Sequence, residues 1–262
     1  MLLNIALLQM RIEEKNHKKN SEHGLELLCS VKEGTDVSVL PEVWTTGYSL
    51  GALRKECEEE GSELLKSISK IAKDKNMAIV AGSVPYRRGD NKIYNTTFVF
   101  DRSGEIIADY DKIHMFSLYN EERFFHPGGK RTEFAVDGID AGLAICYDLR
   151  FPQLFRAMAV NGANIVFMPA EWPESRGAAW RLLVQARAVE SQMYICAVNC
   201  TGKFRDDIFY GHSMLVSPTG DIVAEGSSEE SIIYGAMDTV VVEKARTALS
   251  VLKDGREELY VI

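Results

Sequence analysis

Two hydrophobic periods alternate along this chain, and that alternation constrains the fold more than any other feature. Short apolar runs of buried-strand type recur at Ile5–Leu8, Val37–Leu40, Met77–Val84, Thr96–Phe100, Ala141–Cys146, Ile165–Met168, Tyr194–Val198 and Met214–Val216. Between several of them stand amphipathic stretches of helix length: Asn16–Lys32, Glu58–Lys75, Gln153–Asn161 and Ala178–Gln192. In the second of these, Leu64, Leu65, Ile68, Ile71 and Ala72 fall at helical spacing. Gly162 suits a helix stop. Strands alternating with helices imply an α/β fold. The segments Asn91–Asp111 and Gly211–Asp238 carry hairpin-type turns instead, at Arg102-Ser103-Gly104 and Pro218-Thr219-Gly220-Asp221. Mixed rather than purely parallel sheets are therefore expected.

The chain has 262 residues, and no linker or low-complexity tract divides it, so a single domain over residues 1–262 is expected. At 46% hydrophobic and 26% charged residues, the composition excludes disorder for the bulk of the chain. No apolar run approaches the roughly 18 residues that span a bilayer. The first residues, Met1 to Gln9, have no basic flank and read as a strand rather than a signal peptide. A net charge of -8 is the wrong sign for a general nucleic-acid binder. The five cysteines, Cys29, Cys57, Cys146, Cys196 and Cys200, are an odd set without a C-x-x-C pair. They read as reduced thiols of a cytoplasmic protein. Cys196 and Cys200 have metal-like spacing, but no further ligands cluster near them, and no metal is expected.

Several strand-type runs end on residues that can do chemistry. Val37–Leu40 leads through Pro41 to Glu42, Ala141–Ile145 leads to Cys146, and Ile165–Met168 leads through Pro169-Ala170 to Glu171. In open α/β sheets ligands gather at such ends. A thiol where a strand gives way to a turn can lie near backbone N–H donors, which lower its pKa and form an oxyanion hole. An inert buried Cys is the alternative for Cys146, and it is the better reading of the other four. A nucleophilic thiol needs a proton acceptor. His17 and His23 sit on a polar helix face and His212 near a strand start, while His114 and His126 flank an irregular stretch, His114–Lys130. No Cys–His signature surrounds them. A carboxylate with a lysine is the other arrangement. Glu42 can shuttle a proton if Val43 and Trp44 give it a hydrophobic setting. Lys112 can hold a thiolate or oxyanion, although spacing alone does not distinguish it from the surface lysines. No P-loop, dinucleotide fingerprint or G-x-S-x-G elbow occurs.

These residues resemble the carbon–nitrogen hydrolase (nitrilase) superfamily through three motifs in order. They are Leu40-Pro41-Glu42, Tyr110-Asp111-Lys112-Ile113-His114, and Ala144-Ile145-Cys146-Tyr147-Asp148-Leu149-Arg150-Phe151-Pro152. Glu121, ahead of Pro127-Gly128, resembles the family's second glutamate. The likeness runs from Asn4 to about Asp238. It implies a four-layer α-β-β-α sandwich, commonly a homodimer, with no metal or organic cofactor. It implies catalysis by Glu42, Lys112 and Cys146, with Glu121 in support and the Tyr147 backbone N–H helping Lys112 hold the oxyanion. The stretch Met168 to Arg176, followed by Trp180 to Gln192, resembles the omega-amidase branch. That branch removes the terminal amide of 2-oxoglutaramate or a similar dicarboxylate monoamide. A deaminated-glutathione amidase, an N-carbamoyl amine hydrolase and a catalytically silent metabolite-binding protein are the rival readings. A substrate carboxylate needs a cation: Arg176 is the candidate, Arg150 and Arg181 its rivals, with an internal ion pair the better reading of Arg150. Trp172 and Phe116 are candidate pocket walls, and Glu171 a pocket residue with no derived role.

Overall fold

The computed structural model describes residues 1–49, 51 and 53–259. Seven strands form one sheet in the order Ser231–Asp238, Leu2–Gln9, Val37–Val39, Ala78–Val80, Ile93–Phe100 and Val84–Arg87, with Ile106–Asp111 on the opposite edge of Ile93–Phe100. Six form a second: Ile222–Glu225, Met214–Val216, Tyr194–Val198, Ile165–Pro169, Ile139–Leu143 and Glu133–Val136. Each sheet has three adjacent parallel strands at its heart and antiparallel strands outside them. The mixed character expected from the two hairpin-type segments is therefore present.

Side-chain alternation stacks the layers. On Leu2–Gln9, Leu3, Ile5 and Leu7 join the core between the sheets, which includes Val39, Val80, Leu143 and Ile165. Ala6 and Leu8, on the other face, pack with Leu28 of the helix His17–Ser30 and with Leu65 and Ile68 of the helix Glu63–Lys75. The helices Pro152–Val160 and Gly177–Ser191 bring Phe155, Met158, Trp180 and Val184 onto the second sheet. Each such large apolar side chain, once buried, contributes about 1.5–3 kcal/mol. The result is an α-β-β-α sandwich of four layers.

Three boundaries differ from the sequence expectation. Met77–Val84 is two strands, because Gly82 turns the chain at φ +61° between Ala78–Val80 and Val84–Arg87. The helix expected from Glu58 begins at Glu63, where Ser62 Oγ accepts from Leu65 N at 3.2 Å. A further helix, Thr239–Ala248, starts on a run of valines that does not suggest a helix, and Asp238 caps it through Val240 N.

Candidate active site

Glu42 follows the first sheet's central strand Val37–Val39, in a turn clamped by its neighbour loop. Ser83 N donates to Pro41 O at 3.0 Å, and Ser83 Oγ accepts from Val43 N at 2.9 Å. Gly82 is required there: a Cβ on it would stand 2.2 Å from Pro41 O. The carboxylate of Glu42 is completely buried. Lys112 Nζ donates to Oε1 at 2.8 Å, Asn95 Nδ2 donates to Oε1 at 2.9 Å, and Glu171 N donates to Oε2 at 3.1 Å. Val43 and Trp44, whose hydrophobic setting was the condition for a proton-shuttling Glu42, are both buried in the helix-side core, and Trp44 Nε1 donates to Ala81 O.

Lys112 continues from the end of Ile106–Asp111, and its backbone N–H donates to Asn95 O at 2.9 Å. Gly128 N returns to Lys112 O at 2.8 Å, an approach so close that a Cβ on Gly128 would meet Asp111 O at 2.1 Å. The return folds the expected irregular stretch His114–Lys130 back over the lysine as two short 3-10 turns. The second places Glu121, whose oxygens both lie 2.9 Å from Lys112 Nζ. Phe116 N also donates to Glu121 Oε2, at 2.6 Å. Burial opposes the charge on Lys112, but Glu121 and Glu42 outweigh it and hold the ammonium above its ordinary pKa. Burial raises the Glu121 carboxyl, and Lys112 offsets part of that rise.

Cys146 opens a 3-10 turn after Ile139–Leu143 and has φ +46°, a conformation unusual for a residue with a side chain. Asp148 holds this elbow. Its Oδ2 accepts from Ile145 N at 2.8 Å and from Tyr110 OH at 2.7 Å, while its Oδ1 lies 2.7 Å from His114 Nδ1. Tyr110 and His114 flank Lys112, so one carboxylate ties the cysteine turn of one sheet to the lysine strand of the other. The thiol faces Glu171 O at 3.9 Å. Its pKa is raised, not lowered as the turn suggested. Burial and the nearby Glu42 carboxylate push the thiol up, against a smaller opposite effect of Lys112. His114 is occupied by Asp148 and stacked on Phe151 at 3.6 Å, which fits a structural role.

Beside Cys146 lies a narrow recess with a cavity volume of about 20 Å³, lined by Phe116, Tyr147, Arg150, Glu171, Trp172, Pro173 and Arg176. That is far below the roughly 300 to 1,000 Å³ of ordinary ligand sites, so only a small group fits without movement of the lining side chains. Trp172 is both wall and core: it is 3% exposed, and its Nε1 donates to Arg176 O at 2.9 Å. Arg176 lies over the Phe116 ring at 5.6 Å and Arg150 over the Trp172 ring at 5.0 Å. Neither guanidinium forms an ion pair among the described residues, contrary to the internal pair expected of Arg150. Arg181 pairs with Glu225 and lies outside the recess.

The sequence reading missed Tyr48, Asn95 and Asp148. Tyr48 OH lies 2.7 Å from Glu121 Oε1 and 3.2 Å from Glu42 Oε1, buried between the two carboxylates. The signal for Tyr48 was a Thr-Gly-Tyr turn shortly after Glu42. Asp148 stood inside the cysteine motif itself. Asn95 lies in an apolar strand and gave no signal.

Known proteins share this arrangement of chain. The 2-oxoglutaramate amidase of Bacillus subtilis is 38% identical over 256 residues, 98% of each chain. The crystal structure of Nit3 from Saccharomyces cerevisiae, a member of branch 10 of the nitrilase superfamily, superposes with a TM-score of 0.89 at 29% identity, covering 97% of each chain. A glutamate-to-glutamine mutant of the amidase from Nesterenkonia sp. AN1, with acrylamide added at its active-site cysteine, gives 0.86 at 25% identity and 98% of each chain. The carbon-nitrogen hydrolase profile matches residues 4–247, nearly the whole chain, and the protein belongs to that family.

Proposed function

We propose that this protein is an amidase that releases ammonia from a small omega-monoamide of a dicarboxylate, such as 2-oxoglutaramate, through a thioester on Cys146. The observation that carries this reading is the buried Glu42–Lys112–Glu121 cluster set against the cysteine turn. Because burial keeps the thiol protonated, its proton must leave as the bond to substrate forms. Glu42 takes it, and sulfur attacks the amide carbon. The oxyanion is held by Lys112 Nζ and the Tyr147 N–H, in a site already dry. Glu42 returns the proton to nitrogen, ammonia departs, and the acyl group remains on sulfur. Water then gives a proton to Glu42 and attacks the thioester, and the carboxylate product leaves as the thiol is re-formed. Glu121 and Tyr48 position the lysine.

Two observations favour a short anionic substrate. The recess is small, and Arg150 and Arg176 offer guanidinium groups not committed to any carboxylate of the described residues. The omega-amide reading also takes up the activity that names the Bacillus subtilis relative, 2-oxoglutaramate amidase. We further propose that one catalytic unit spans the chain and that it works as a cytoplasmic homodimer without a cofactor. Five unpaired cysteines fit a reducing compartment, and no helix among the described residues is long and apolar enough to cross a membrane.

The test is ammonia release by wild type and Cys146→Ala from 2-oxoglutaramate, succinamate, deaminated glutathione, N-carbamoylputrescine and a simple nitrile. Activity on the first two, lost by more than about 10⁴-fold in the variant, is the expected result. Activity confined to another compound moves the substrate to a rival amidase. Silence on all five with an unalkylatable Cys146 would indicate a binding protein.

A further inference from the structure

The hydrolytic cycle leaves Glu171 without a task. Its backbone is engaged: the N–H donates to Glu42 Oε2 and the carbonyl faces the Cys146 thiol. Its position beside the nucleophile is therefore fixed. The side chain is another matter. The residue is 1% exposed, and neither carboxyl oxygen hydrogen-bonds to any nitrogen or oxygen among the described residues. Gly47 packs beside Oε1, where even a Cβ would stand at an ordinary contact distance of 3.5 Å, and Cys200 adds only a weak thiol contact. Glu171 borders the same recess as Cys146, Arg150 and Arg176. Burial pushes its carboxyl well up, Glu42 and Glu121 push it further, and Lys112 opposes them; the thiols of Cys146 and Cys200 and the phenol of Tyr48 also face this cluster. Buried without a hydrogen-bonded cation, the carboxyl favours its protonated form, which has one O–H to donate and one C=O to accept.

A dry, unpartnered acid is costly to fold around, and it persists where a ligand supplies the missing partner. We infer that Glu171 is a specificity-determining residue whose carboxylic acid hydrogen-bonds an oxygen on the substrate's carbon chain, so that amides lacking that oxygen are disfavoured. This inference rests on the amidase reading. It deepens that reading by naming what the site selects besides the terminal carboxylate: an oxo or hydroxyl group on the chain between that carboxylate and the scissile amide. A site built around such a hydrogen bond rejects the analogue without it, because its own polar group is left unpaired.

Two amides of equal length separate the possibilities: 2-oxoglutaramate and glutaramate, which lacks the oxo group. Wild type is expected to favour the oxo compound in kcat/KM by about 10- to 100-fold. Glu171→Leu should lose about that factor more in kcat/KM on 2-oxoglutaramate than on glutaramate, so the preference collapses. Glu171→Gln, which keeps a donor and an acceptor, should preserve most of it. Equal losses on both substrates, or no wild-type preference, would overturn the inference while leaving the amidase reading intact. Failure of wild type to hydrolyse any amide would overturn both. If Glu171→Leu does not fold, infrared difference spectra in the Cys146→Ala background replace it. The protonated-carboxyl band that Glu171→Gln removes should shift with 2-oxoglutaramate and not with glutaramate, and an unmoved band overturns the inference.

Discussion

The Glu42–Lys112–Glu121 cluster and the recess formed by Arg150, Glu171 and Arg176 are neighbours with opposite hydrogen-bonding patterns. In the first, each of the four carboxylate oxygens has at least one donor, and a single lysine joins both acids. In the second, an acid and two guanidinium groups share a wall without pairing to one another. Both hold charged residue types, so composition does not separate them. Saturation does. A saturated network is rigid and presents the same geometry to every substrate, whereas an unsaturated one changes its energy with what binds. The first is suited to bond making and breaking, the second to choosing.

Substitutions should break this contrast in a graded way. Lys112→Met removes the cation from between two buried carboxylates. It should abolish ammonia release and cost about 3–5 kcal/mol in urea unfolding, as expected when one partner of a buried pair is lost. Asp148→Ala strips the partner from Tyr110 OH and Ile145 N, both buried. We expect about 1–3 kcal/mol of lost stability for each orphaned group, together with a fall in kcat larger than the rise in KM, measured on the same protein by unfolding and steady-state kinetics. Arg176→Ala belongs to the recess and should do the reverse. KM for an anionic amide should rise by about 10- to 100-fold, with unfolding changed by no more than about 0.5 kcal/mol. A neutral short amide should show far less of this KM effect.

The smallest expected effect is a pH dependence. The Glu171 carboxyl is raised in the folded protein above its unfolded value of about 4.3. The folded chain therefore binds that proton more tightly. The stability this contributes is whole below about pH 4.3 and is lost as pH climbs toward the folded value. Glu171→Gln has no such loss. Thermal melts should show the variant gaining on wild type between about pH 5 and pH 8, and a constant difference would refute the neutral acid.

The parts legible in the sequence were those with a one-dimensional signature. Glu42, Cys146 and Glu171 stand just past apolar runs, so the strand pattern alone placed all three at one rim. Lys112 and Glu121 required the family motifs, since nothing local separates them from solvated neighbours. The α/β character followed from period and the four layers from the family resemblance, but the break at Gly82 followed from neither, because a glycine among apolar residues reads as continuous strand. Asn95 was hidden for a related reason: a polar residue in a strand looks like an outward position until the lysine and glutamate strands are laid beside it. Arg150 was expected in an internal ion pair, but Asp148, two positions before it, turns to Tyr110 and His114 instead.

That turn of Asp148 bears on how such a protein tolerates change. Sulfur and lysine stand on different sheets, and their separation would otherwise depend on every side chain sandwiched between. Tyr110, His114 and Ile145 meet on one short clasp, at 2.7–2.8 Å, which sets that separation locally. Drift in the interior, a valine here or an isoleucine there, is then absorbed before it reaches the reacting atoms. On the proposed mechanism, the distance between sulfur and lysine is thereby insulated from the history of the core, and the hydrophobic filling is left free to wander so long as the clasp stays shut.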